Sequence, residues 1–181
     1  MSPDTSDRPT ACWVFVRDQV LTAPIGAAFA RARIYQPGVT EEDAGRLRGF
    51  LRQQLLEIAA RYEAGSTSDD DHVAYICELA ETVSKECGDV LLEGRFRIGI
   101  AQKALNLYLK YLWCLGRIPE PPHCPFDGVV ISRLPLKSPA AWTRTDSVDD
   151  YCAWVRAAKK AAGSQSLARW ELELWNRIGR P

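Results

Sequence analysis

GIAQKALNLYLKYLWCLGRIPEPPHCPFDGVV, residues 99–130, decides how this chain is read. Between Ala104 and Leu115 the apolar residues Leu105, Leu107, Tyr108, Leu109, Tyr111, Leu112, Trp113 and Leu115 surround the axis of a helix. A helix that is apolar all round belongs at the centre of a bundle, with neighbours on several sides. Gly116 ends it, and Pro119, Pro121, Pro122 and Pro125 make the following loop stiff and non-helical. Lys103 stands at the start of this helix. Asp127 heads the next ordered segment, Phe126 to Leu134.

Working outward, the pattern stays helical. Upstream, Thr40-Glu41-Glu42-Asp43 reads as an N-cap with acids in the first turn. The helix it opens runs to about Glu63, with Leu47, Phe50, Leu51, Leu55, Ile58, Ala59 and Tyr62 on one face. A polar loop, Ala64 to Asp71, leads to a helix that buries Val73, Ile76, Cys77, Leu79, Ala80 and Val83 and closes at Gly88. His72, at its start, is expected at the surface or as a cap. Nearer the N-terminus, Trp13–Val16 is a short apolar run, and Ala27–Tyr35 is expected to be helical. Residues 1–10 read as a frayed tail.

Downstream, Ser138-Pro139 suits an N-cap and first position of a short helix through Trp142. Ser147 to Asp150 opens a helix with Tyr151, Trp154, Val155, Ala158 and Ala162 on its face, stopped by Gly163. Ser166 opens the last, with Leu167, Trp170, Leu174 and Ile178 apolar. Few segments alternate with a strand's period. The expectation is an all-α, two-lobed helical bundle, one domain over residues 11–181 with a cleft near residues 97–134.

With 181 residues the chain is long enough to bury a real core. Hydrophobic residues make up 46% and charged residues 25%, the balance of a globular protein. Lysine and arginine equal aspartate and glutamate at 23 each, which argues against coating nucleic acid by bulk charge. No stretch has the length and apolarity of a membrane span, and the opening MSPDTSDRPT lacks the basic and apolar regions of a signal peptide. The six cysteines include no Cys-x-x-Cys, so buried free thiols in a reducing cytoplasm are expected, with no metal and no cofactor.

The central stretch resembles the helix-hairpin-helix DNA glycosylases, the endonuclease III-like superfamily. That family carries a Leu-Pro-Gly-Val-Gly-x-Lys hairpin, an apolar helix with an early asparagine, then Val-Asp-Thr-His-Val and an Arg-Leu pair. Here the frame is Arg97-Ile-Gly-Ile-Ala-Gln-Lys103-Ala-Leu-Asn106, then Pro125-Phe-Asp127, then Arg133-Leu134. Ile98, Ala101 and Val129 depart from the family's proline, second glycine and histidine. The resemblance implies a DNA partner and base excision: Lys103 attacks the sugar C1′ to form a Schiff base, and Asp127 steadies the cationic sugar or relays protons. It also implies a hairpin at Gly99 and Ala101 whose backbone N–H groups hold a phosphate.

Apart from the resemblance, the residues leave alternatives open: Lys103 and Asp127 can equally be a salt bridge, or a helix-capping Asp127 with an unrelated surface lysine, and the basic residues nearby can be ordinary solvated charge. Arg95, Arg97, Lys103, Lys110 and Arg117 occur with no acid between Glu93 and Glu120, a local basic stretch suited to phosphate. A helix N-terminus and apolar surroundings both disfavour an ammonium at Lys103. Asn106, His123 and Cys124 are candidates for the pocket wall; the alternative for His123 and Cys124 is packing of the loop onto the central helix. Two rivals remain. One is a non-catalytic helical module that binds DNA or a protein partner. The other takes Arg117 and His123 as the Arg…His pair of HEPN ribonucleases, which are also helical.

Overall fold

The computed structural model describes residues 8–137 and 141–178. Among them the chain forms seven α-helices and no named strand: α1 (Arg8–Phe29), α2 (Glu41–Glu63), α3 (Asp69–Cys87), α4 (Ile98–Cys114), α5 (Gly128–Ile131), α6 (Val148–Ala162) and α7 (Leu167–Ile178). The all-α expectation holds. The N-cap expected at Ser138-Pro139 and most of the expected tail lie outside the described residues.

Four helices begin where their caps say they should. The Thr40 side chain accepts from the Asp43 N–H, and Asp43 answers from its carboxylate, a capping box that opens α2. Ser68 and Ser147 accept from Asp71 and Asp150 at the heads of α3 and α6, and Ser166 from Arg169 at the head of α7. Gly116, at φ +67°, ends α4 with the Arg117 N–H reaching back to the Leu112 carbonyl, as in a Schellman turn.

α1 departs from expectation. It is one helix of 22 residues that runs through Pro24, so Arg8 to Thr10 are helical, and Ala27–Tyr35 is not a separate helix. Proline removes one helical hydrogen bond. Leu21, Ile25 and Ala28 keep a buried stripe at helical spacing across it. The chain then turns, and Tyr35 pairs with Leu91 in an isolated β-bridge.

α4 is the central helix the sequence promised, and every residue from Ile98 to Asn106 is buried. It packs against α1, α2, α3 and α6. The buried apolar side chains form one connected cluster from α1 to the start of α7. No helix among the described residues is long and apolar enough to cross a membrane.

The turn before the central helix lies upstream of the hairpin expected at Gly99 and Ala101: residues 88–97 join α3 to α4, with Glu93 and Gly94 at positive φ. α4 begins at Ile98, so Gly99 and Ala101 lie in its first turn and Lys103 in its second. Gly99 is there for contact, not for a turn. A Cβ on it would lie 1.8 Å from the Trp142 carbonyl oxygen. Gly99→Ala must push back the 142–145 backbone and is expected to destabilise the fold by about 2–3 kcal/mol in urea unfolding. A neutral result would contradict this packing.

Candidate functional site

The pair singled out in the sequence comes together. Lys103 Nζ donates to Asp127 Oδ2 at 2.8 Å. Lys103 is placed by α4. Asp127 is placed by its own capping role, because its Oδ1 accepts the N–H groups of Val129 and Val130 at 3.0 and 3.1 Å. Burial pushes the Asp127 carboxyl up, but the Lys103 charge and hydrogen bond and the two amides outweigh it and hold it below the ordinary value.

Both side chains line an open cavity of about 570 Å³. Ala23, Ala27 and Ala30 of α1 and its following turn form one wall, and their small side chains leave the space open. Lys103, Leu107, Lys110, Tyr111 and Cys114 of α4 form a second. Glu171, Leu172, Trp175 and Asn176 of α7 form a third. Trp142 and Val129 complete it, with Arg31 also on the lining. Tyr111 is 39% exposed and Trp175 55%, so each offers a ring at the cavity.

The other basic candidates are placed differently. Arg95 donates to Asp146 Oδ2 at 2.7 Å and Arg97 to Glu93 at 2.8 Å. Lys110 donates to Glu171 Oε2 at 2.6 Å inside the cavity. Arg117 lies over the Trp13 ring, 4.1 Å from its centroid. Most of the basic stretch is thus engaged: Arg95 and Lys110 by acids 51 and 61 residues away, Arg97 by Glu93 one turn before it, and Arg117 by an aromatic ring. The first amides of α4 are also engaged. Ile98 N–H donates to Asp146 Oδ1 at 3.0 Å, Gly99 N–H to the Thr145 carbonyl at 2.9 Å, and those of Ile100 and Ala101 to the Arg97 carbonyl. Gly99 and Ala101 therefore offer no free donors to a phosphate.

Asn106, His123 and Cys124 do not line the cavity. Each is 1% exposed, and they join a polar network in the core. Tyr62 Oη and His72 Nδ1 are 2.7 Å apart, His72 Nε2 and Asn106 Oδ1 2.7 Å, and His123 Nδ1 and Tyr151 Oη 2.7 Å. The two hydrogens of the Asn106 amide nitrogen are shared among Gln102 Oε1 at 3.2 Å, the Cys124 carbonyl at 3.0 Å and Tyr151 Oη at 3.3 Å. With Asn106 Oδ1 as acceptor, His72 must carry its proton on Nε2, so Tyr62 donates to Nδ1. Gln102 completes the clamp: it donates to the carbonyls of Gly99 and Phe126 and accepts the Phe126 N–H. Asn106 and Gln102 together pin the proline-rich loop from Cys124 to Phe126, one residue before Asp127.

His72 corrects the surface expectation, being fully buried. Arg117 and His123 do not meet: Arg117 is exposed over Trp13, and His123 is buried against His72 and Tyr151. The HEPN pairing is thereby set aside. The cysteines are unpaired, but only Cys87 and Cys124 are buried, while Cys12 and Cys114 are exposed. Among the described residues no three His, Cys, Asp or Glu side chains cluster as metal ligands. Glu171 was not anticipated at all.

Burial lowers the His72 pKa to about 3 and the His123 pKa to about 4, from 6.5. The unfolded chain therefore binds protons that the folded chain refuses. Stability from these neutral rings is complete above pH 6.5 and declines as the pH falls toward 4. Thermal melts should show a falling Tm between about pH 6 and pH 4.5, before most carboxylates titrate. His123→Gln should flatten that fall; an unchanged slope would contradict the assignment.

No family model matches the chain, and its comparison with curated proteins and with solved structures likewise gives no match.

Proposed function

We propose that this protein is a base-excision N-glycosylase that accepts an extruded DNA nucleoside in the cavity between α1, α4 and α7. Lys103 is the nucleophile and Asp127 its partner. The observation that carries the reading is the meeting of an amine and a carboxylate, 24 residues apart, on the wall of one open cavity. A volume near 570 Å³ falls in the range of small-molecule sites. The rings of Tyr111 and Trp175 provide faces on which a planar base can stack. Arg31 lines the same cavity with no acid in ion-pair reach among the described residues, which leaves it free for a flanking phosphate.

The chemistry follows from the geometry. Lys103 Nζ gives one proton to water and the freed lone pair attacks C1′, while Asp127, 2.8 Å away and held below the ordinary carboxyl value, stays ionised beside it. The C1′–N bond breaks and its electron pair leaves with the base. The new amine loses a second proton, the O4′–C1′ bond opens with O4′ taking a proton, and a C1′=N Schiff base remains. Asp127, ionised at the outset, also faces the positive charge that develops on the sugar.

A non-catalytic interaction module is the second reading. It is favoured by the pairing of Arg95, Arg97 and Lys110 with acids. In that case the Lys103–Asp127 contact only ties α4 to α5. Incubation with a labelled duplex bearing an abasic site, followed by borohydride, separates the two. The glycosylase reading predicts a covalent protein–DNA adduct. Its absence at micromolar protein favours the module.

A further inference from the structure

The cavity holds a second amine–carboxylate pair that the reaction above does not use. Lys110 lies seven residues after Lys103, two helical turns on and so on the same face of α4, about 10 Å further along the axis. Its ammonium is 2.6 Å from Glu171 Oε2 and 5.7 Å from the centre of the Trp175 ring. Leu107 and Tyr111 lie on the lining between and beside the two lysines. The Glu171 side chain is 6% exposed and the Lys110 side chain 13%.

We propose that Lys110 meets the departing base and donates a proton to it, with Glu171 as the residue that positions Lys110. The proposal rests on the nucleoside reading of the cavity. If Lys103 stands at C1′, the second amine, further along the same wall, faces the base. As the C1′–N bond breaks, the base keeps the bonding pair and becomes negative. The Lys110 ammonium offsets that charge and transfers one proton to a ring nitrogen or carbonyl oxygen. Water returns a proton to Lys110 once the base has left.

Glu171 is suited to hold rather than to react. It sits across from Lys110 on α7 and fixes the ammonium over the cavity. The groups facing it are Lys110, Lys103 and Cys114 of α4, with Asp127 and Cys124 from the loop segment. Burial pushes the Glu171 carboxyl up, and the Lys110 charge only partly restores it.

The test compares the parent with Lys110→Met, Lys110→Gln and Glu171→Gln on two kinds of duplex. One carries an abasic site, which has no base to lose. The others carry a panel of oxidised, deaminated and alkylated bases. The Lys110 variants should trap on the abasic duplex within about twofold of the parent yet excise the preferred base about 100-fold more slowly. Glu171→Gln should lose less, and its loss should fall on kcat with KM within about twofold of the parent, because Lys110 is still present but no longer held in place. Three results overturn the proposal: Lys110 variants that excise as the parent does, variants that lose abasic trapping to the same degree as excision, or a parent that traps the abasic duplex but excises nothing from the panel. A parent that fails to trap at all defeats the underlying nucleoside reading instead.

Discussion

Lys103→Gln is expected to lose borohydride trapping and base excision by about 10³-fold or more while remaining folded. Glutamine keeps a donor facing Asp127 but has no amine to attack carbon. Lys103→Ala loses the same activity and also some stability. It leaves the Asp127 carboxylate with only the amides of Val129 and Val130, in a setting that is 21% exposed. That unpairing costs about 1–2 kcal/mol. The glutamine variant is therefore the decisive one. If it traps an abasic duplex as the parent does, Lys103 is not the nucleophile, and its contact with Asp127 is structural.

The second large effect lies behind the cavity. Asn106→Leu should destabilise the protein by about 3–5 kcal/mol in urea unfolding. Leucine matches the volume roughly but strands His72 Nε2 and the Cys124 carbonyl and leaves Tyr151 Oη with His123 alone. Each buried polar group left alone costs about 1–3 kcal/mol, and the losses overlap because the groups form one network. The network also fixes the loop that presents Asp127, so whatever variant remains folded should show weakened activity. A loss under about 1 kcal/mol would mean that water or a shifted neighbour replaces these bonds.

Much of this architecture could be read from local signals. The caps at Thr40, Ser147 and Ser166, the stop at Gly163, and the apolar faces of α2, α3, α6 and α7 depend on neighbours a few residues away. The misreadings share a physical cause, which is that one residue type serves two purposes. Ala27–Tyr35 reads as a helix of its own, but a proline can sit within a helix as well as end one, and the spacing of Leu21, Ile25 and Ala28 carries α1 across Pro24. Gly99 looked like a turn, but a glycine that lets a helix touch another backbone looks the same in sequence.

His72 could have been placed correctly. It lies four residues before Ile76 on the stripe that continues through Leu79, Ala80 and Val83, and all of these are buried. The acids beside it drew attention to the surface. Lys103 and Asp127 stand out through the frame around them, and the structure brings their side chains to 2.8 Å; their roles rest on the proposal. The pairings of Arg95 with Asp146 and Lys110 with Glu171 were not legible, since they join residues 51 and 61 apart. No local pattern encodes which acid a folded chain will bring to which base, and so Glu171 went unseen and the basic stretch was taken for a free surface.

The most direct test identifies the amine. The parent protein is reduced with borohydride on an abasic duplex, digested with protease and nuclease, and the sugar-bearing peptide is sequenced by mass spectrometry. The account predicts a single modified residue, Lys103. A sugar remnant on Lys110 or on a lysine outside the cavity, or no remnant at all, would contradict it.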